Sequence, residues 1–234
     1  MSRERRGRPT TCEIREADAL VSVLAPEPGP TDTPFDVVAA VVAALAPRGP
    51  IAMLGFAAGG IVAPLRALGR TGPIAGVDRD TRHVDLFRRV AARWAGPVTV
   101  TKDDALAWCA RVPAGRFAAV IEDLSVVRDG SIVKPRVSLV GLPDRLPRLA
   151  LPRGIVVVNL LPIPGWSWRR IVRAALGPRP EGLLFECVEW ENRVLATGSD
   201  LPAARGAGRR VRAALAGLRS SLAGGIRVRR VAPA

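Results

Sequence analysis

Residues Ile51 to Gly60 read IAMLGFAAGG, an apolar run that breaks into a glycine turn. A short apolar stretch bounded by Gly and Pro reads as a buried strand, here Ile51 to Phe56 behind the Arg48-Gly49-Pro50 break. In the turn Gly55-Phe56-Ala57-Ala58-Gly59-Gly60 the glycines permit φ > 0 and leave room for a ligand where a Cβ would stand. The helix expected next, Ile61 to Leu68, presents free N–H groups that suit anionic or polar ligand atoms. A tight strand-to-helix turn without any ligand satisfies the same letters.

The pattern then repeats. Pro73 to Val77 is a second apolar strand ending at Asp78, and Thr81 to Trp94 places Val84, Phe87, Val90, Ala91 and Trp94 at helical spacing. Val98 to Thr101 is a third strand, followed by a helix over Asp104 to Arg111. Phe117 to Ile121 is a fourth, ending at Glu122-Asp123. After a long loop and a short helix near Leu142 to Ala150, Gly154 to Leu161 is a fifth strand, and Trp166 to Leu176 is helical. Leu183 to Glu189 and Arg193 to Thr197 form an antiparallel pair, and Ala203 to Leu222 is a final helix.

Alternating apolar strands and helices predict a Rossmann-like, doubly wound α/β fold, with a mostly parallel sheet covered on both faces and an antiparallel C-terminal pair. Upstream, Cys12 to Ala17 and Ala19 to Leu24 predict a small hairpin turning at Asp18. Residues 25–34 (APEPGPTDTP) form a proline-rich linker, and Phe35 to Leu45 a helix capped by Thr33 with Pro34 at its first position. Residues 1–34 are thus a basic N-terminus, hairpin and linker, and residues 35–234 the main domain.

In such sheets the ligand crevice lies at the strand C-termini. Asp78 stands 23 residues after Gly55, close to the roughly 20-residue offset at which an acid meets ribose hydroxyls. A carboxylate accepts hydrogen bonds only, so it suits two vicinal hydroxyls. Asp103-Asp104 ends the third strand and Asp123 the fourth. Singly, each reads equally well as a helix cap or a solvated strand end, and Asp104 before Ala-Leu-Ala-Trp is a good cap.

These stretches together, Ile51 to Gly60, Ile74 to Asp80, Val98 to Trp108 and Phe117 to Ser125, resemble the class I S-adenosylmethionine-dependent methyltransferase fold. Within it they are most similar to spermidine synthases and their relatives, over roughly residues 45–165. The resemblance implies that Gly59-Gly60 ends the strand-one motif, Asp78 holds the ribose and Asp104-Ala105 contacts the adenine. It implies that Asp123 faces the donor sulfonium and the acceptor amine as the catalytic residue. Gly55, Phe56, Ala57, Arg79 and Asp103 complete the implied cofactor set, for S-adenosylmethionine or a close analogue such as its decarboxylated form.

The departures bear on chemistry. Ala58 stands where the family carries an acid, and Val126 where aminopropyl-transferring members place a second aspartate. The chain has no tyrosine. A polyamine needs several carboxylates to replace its hydration, and few are in view, which disfavours true spermidine synthesis. Methyl transfer to an unidentified small-molecule acceptor is the first reading. A nucleoside-binding or assembly protein that has lost catalysis is the second, and a nicotinamide-dependent oxidoreductase, from the relaxed Gly55-x-Ala57-x-x-Gly60 fingerprint, the third.

Composition narrows the context. The 234 residues, 48% hydrophobic, can fill a large core. No 18-residue apolar run lacks a charge, so no membrane span is expected, and no apolar stretch follows the basic start as in a secretory signal. Cys12, Cys109 and Cys187 are far apart and His83 is the lone histidine, so no metal site is expected and reduced thiols in the cytoplasm fit. The net charge of +14 sits mostly at the ends: residues 200–234 carry eight Arg against one Asp. All basic residues but Lys102 and Lys134 are Arg, which a GC-rich genome would also produce. The last helix puts Val211, Leu215, Leu218 and Leu222 on one stripe with arginines elsewhere, and so reads as a packed helix with a solvated basic face or as a nucleic-acid contact. Trp166 and Trp168 read as an acceptor wall or as packing anchors. A homodimer is one state the sequence allows.

Overall fold

The computed structural model describes residues 11–16, 19–128 and 130–233. The basic segment 1–10 and the expected turn at Asp18 lie outside the described residues.

An eight-stranded sheet carries the molecule. In sequence its strands are β3 (Ile51–Leu54), β4 (Ile74–Asp78), β5 (Val98–Lys102), β6 (Phe117–Glu122), β9 (Ala150–Leu160), β10 (Gly182–Cys187), β11 (Arg193–Thr197) and β12 (Ile226–Val231). In space the order is β12-β10-β11-β9-β6-β3-β4-β5. The strands from β5 across to β9 are parallel; β11 runs antiparallel to both β9 and β10, and β12 antiparallel to β10. This is the expected Rossmann-like sheet with its antiparallel pair.

Alternate side chains of a strand face opposite sides, and here both sides are dry. Ile51 and Met53 of β3, with Ala119 and Ile121 of β6, join a core against α1 (Pro34–Leu45), α2 (Val62–Ala67), α3 (Val84–Ala91) and α7 (Ala204–Leu218). Ala52, Leu54 and Val120 join a second core against α4 (Ala105–Arg111), α5 (Leu142–Leu149) and α6 (Trp168–Leu176). Helices on both faces explain why these strands are apolar throughout. α1 starts as its sequence dictates: the Thr33 side chain accepts from Phe35 N–H and Pro34 fills the first turn, where no donor is needed.

Four elements depart from the sequence reading. The last helix ends at Leu218, where Arg219 turns left-handed (φ 60°); Leu222 completes the buried stripe from a 3-10 turn, Ser221–Gly224. The chain then runs as β12, whose IRVRRV pattern buries Ile226 and Val231 and exposes Arg227, Arg229 and Arg230. The loop after β6 contains a small hairpin, β7 (Val126–Arg128) with β8 (Ser131–Val133). The fifth parallel strand begins at Ala150 rather than Gly154, with a register irregularity against Phe117. The N-terminal pair is present as β1 (Cys12–Glu16) with β2 (Ala19–Leu24), and Val23 and Leu24 pack into the core shared with α1. No helix among the described residues is long and apolar enough to cross a membrane.

Candidate functional site

The backbone ladder continues past the strand ends and brings the expected positions side by side. Gly55 N–H donates to Val77 O at 2.9 Å, Asp103 N–H to Asp78 O at 2.9 Å, and Asp123 N–H to Leu54 O at 2.8 Å. Gly55 has φ +84°, and a Cβ there would stand 2.6 Å from the Asp123 carbonyl oxygen. Only glycine allows that approach. Gly59 and Gly60 are needed for a different reason: their missing Cβ atoms make room for the Phe87 and Phe35 rings, each 2.8 Å from where a Cβ would be. Ala57 is left-handed (φ +46°), a conformation costly for a residue with a Cβ.

Asp78 offsets that strain. Its Oδ2 accepts from Ala57 N–H at 2.8 Å and its Oδ1 from Asp80 N–H at 3.0 Å. Each oxygen retains an acceptor site for a ligand donor. Asp78 lines a cavity of about 200 Å³ with Gly55, Phe56, Ala57 and Gly60, the turn forming its floor. Asp123 lines it too.

Arg79, Asp103, Asp104 and Ala105 do not reach this lining, nor does Gly59. Asp104 caps α4, with its Oδ1 accepting from Ala107 N–H at 2.9 Å, and its Oδ2 pairs with Arg79. The Ala107 hydrogen bond, aided by the Arg79 guanidinium, holds its carboxyl below the usual carboxylate range. Asp103 pairs with Arg111 and accepts from Asp104 N–H. In their place come Asp80, Arg82 and His83 from the loop after β4, and Glu16 and Ser22 from the N-terminal hairpin. Arg82 pairs with Asp80 and with Glu16, and Ser22 Oγ accepts from Gly60 N–H at 3.2 Å, so the hairpin is pinned to the turn. The polar run from Asp78 to His83 was a signal for the loop residues; nothing local in the sequence marks the hairpin.

A second cavity of about 410 Å³ adjoins the first, and the two share Asp123, Ser125 and Val21. Asn159 Nδ2 donates to Asp123 Oδ1 at 2.7 Å, and Asn192 Nδ2 to Asn159 Oδ1 at 3.1 Å. Asp123 keeps part of its surface open to the cavities, yet burial pushes its carboxyl up to about 7, against the pull of Lys134 and the Asn159 hydrogen bond. Glu189, Trp190 and Glu191, from the turn between β10 and β11, line the same cavity, and no Lys, Arg or His among the described residues does. The sequence reading missed these three. Trp166 and Trp168 are packing anchors covered by Arg170 and Arg193 at 3.7 and 4.2 Å, outside both linings.

Behind Asp123 lies a buried ion pair. The side chains of Glu122 and Lys134 are fully buried, with Nζ 2.9 Å from Oε2. Lys134 also donates to Leu124 O, and Glu122 Oε1 accepts from Leu124 N–H and Ser138 Oγ, each at 2.9 Å. The loop carrying Asp123 is thereby held from below. One of two lysines in an arginine-rich chain fills this place, where a compact ammonium with three rotatable donors serves better than a planar fork.

No known protein-family model matches the chain, and no curated protein matches it in sequence. Solved structures do match its fold. Human methyltransferase-like protein 13, in complex with SAH, superposes with a TM-score of 0.59 and 16% identity, over 79% of this chain and 91% of that one. PH0851 gives 0.54 and 16%, over 70% of this chain and 46% of its own. A Corynebacterium glutamicum protein gives 0.50 and 14%, over 74% and 84%. At such identities the likeness is one of fold, and the fold is the Rossmann-like one seen in methyltransferases.

Proposed function

We propose that this protein is a transferase that holds S-adenosylmethionine, or a close analogue, over the Gly55 turn and passes its methyl group to a small amine in the adjoining cavity. One observation carries the reading: two cavities, one floored by the glycine turn and one rich in carboxylates, converge on Asp123. SAH in human methyltransferase-like protein 13 supports an S-adenosyl ligand for a chain of this fold. The side-chain-free floor at Gly55 and the spare acceptor sites of Asp78 fit an adenosine ribose.

The acceptor follows from the lining. In a chain of net charge +14, the larger cavity is lined by Asp123, Glu189, Glu191 and two asparagines, with Glu189 Oε2 accepting from Cys187 Sγ at 2.9 Å, and by no basic side chain among the described residues. An ammonium that gives up part of its hydration needs such partners, and Trp190 lines the same cavity. Val126 is exposed on β7 and outside both linings, so it offers no anchor to the far end of a diamine. Methyl transfer therefore stays ahead of aminopropyl transfer from the decarboxylated donor, and the spermidine synthase likeness extends to the amine alone.

Once bound, the donor supplies an electrophilic methyl on a sulfonium. Asp123, held by Asn159 and poised near 7, takes the proton of the acceptor ammonium. The lone pair so freed would be the nucleophile for the methyl group, with the S–C electron pair left on the donor's sulfur. Alignment of donor and acceptor across the two adjoining cavities would supply the rest.

The test is calorimetry with S-adenosylmethionine, its decarboxylated form and S-adenosylhomocysteine, followed by mass spectrometry of an amine panel. Binding with a mass gain of one methyl supports the proposal. No binding to any S-adenosyl compound overturns it, and binding without transfer to any amine moves the reading to a nucleoside-binding protein without catalysis.

A further inference from the structure

Three arginines converge on a groove of about 360 Å³ at the outer edge of the sheet, Arg169 and Arg173 from α6 and Arg229 from β12. Arg230 also borders it, but as the strand neighbour of Arg229 it turns to the opposite face, where it donates to Pro202 O at 3.1 Å. Residues four apart on a helix share a face, so the two α6 side chains act together. Both are exposed and make no ion pair among the described residues. Arg229 lies 3.4 Å from Glu186, so one carboxylate faces three guanidiniums. Arg169 and Arg170 also stand in the first turn of α6, which holds no acid. The positive end of a helix disfavours cations there, and a bound anion would offset both penalties.

Charged side chains on an edge strand can simply prevent sheet-to-sheet pairing. That accounts for β12, which is the outermost strand, but not for the α6 pair facing the same groove. The remaining lining is Val172, Val231 and Ala232, with no aromatic or amide side chain. Bases of a single strand would find nothing to stack on, whereas guanidiniums match phosphate oxygens two at a time.

We propose that this groove binds the phosphodiester backbone of a nucleic-acid duplex, without sequence preference. The site is β12 with α6, not the basic face of α7 that the sequence suggested. On α7, Arg212 is occupied with the Ile226 carbonyl at 3.2 Å. The proposal uses none of the residues of the two cavities around Asp123, so it stands or falls apart from the transferase reading.

The experiment follows a labelled DNA duplex by fluorescence anisotropy with the full chain across a salt series. Three phosphate contacts give a slope of log K against log salt of about −2.7, and removing two lowers it to about −0.9. The double variant Arg169→Ala/Arg173→Ala is expected to show that drop. Arg205→Ala/Arg209→Ala, on exposed positions of α7, is expected to keep the wild-type slope. All four positions are exposed, and matching thermal melts establish that both variants fold. An unchanged slope in the α6 variant overturns the proposal, as does equal affinity for a single-stranded oligonucleotide or for anionic vesicles.

Discussion

Asn159 Nδ2 donates to Asp123 Oδ1 across 2.7 Å, so the end of β9 aims the carboxylate at the end of β6. The bond favours the ionised carboxylate while burial favours the neutral acid, and burial prevails to leave Asp123 near 7. Transfer that needs Asp123 as a base should rise with pH through an inflection close to 7. Asn159→Leu removes the opposing contribution and should move that inflection upward. Rates measured against pH for both proteins check this; coincident profiles would remove Asn159 as a positioning residue.

Asp123 also ties stability to pH. It binds its proton more tightly in the folded chain, so the stabilisation from protonation is complete below its ordinary value of 3.8 and lost as pH rises through about 7. Asp123→Asn abolishes that contribution. The difference in unfolding free energy, wild type minus variant, should fall across this window and level off above it, as urea melts at several pH values would record.

Asp78→Ala leaves the Ala57 N–H without its acceptor and removes the carboxylate from the smaller cavity. Hydrogen bonds to charged groups contribute about 1.5–3 kcal/mol. Calorimetric affinity for S-adenosylhomocysteine should therefore drop roughly 10- to 100-fold. Unchanged affinity would take the ribose away from Asp78.

Lys134→Met strands a buried carboxylate and should destabilise the fold by about 3–5 kcal/mol. Adding Glu122→Gln removes the stranded charge but keeps an oxygen for Leu124 N–H and Ser138 Oγ. The double variant should be more stable than Lys134→Met alone, a non-additivity that denaturant melts can measure.

Gly55→Ala places a Cβ at φ +84°, 2.6 Å from the Asp123 carbonyl oxygen. It should lower stability by more than about 1 kcal/mol and weaken binding of S-adenosyl compounds. Gly69→Ala, left-handed but with nothing within 4 Å, is the control for backbone strain without the clash.

The sheet was legible because its inner parallel strands are largely apolar on both faces and because β3, β4, β5 and β6 each run into Gly or Asp at their C-terminal ends. The helix ends that carry caps, Thr33 and Asp104, were equally plain. β12 escaped because three of its six residues are arginine, which leaves too little apolar alternation to mark a strand. β7 and β8 escaped because three residues each are too few to show a period. At the site, Asp78 and Asp123 were visible as strand ends, but the same rule also named Asp103 and Asp104, which turn to arginines and a helix cap. Glu189, Trp190 and Glu191 join Asp123 only because β11 lies next to β9 in space, and that adjacency is a property of the sheet order. Lys134 showed only as a rare residue type, with no hint of burial.

The hairpin of β1 and β2 supplies Val21 to both cavities and then leads through the proline-rich segment to α1. It is therefore a wall common to both cavities, made from its own stretch of chain. Changes along that ribbon can reshape the two cavities while Gly55, Asp78 and Asp123 at the strand ends stay where they are.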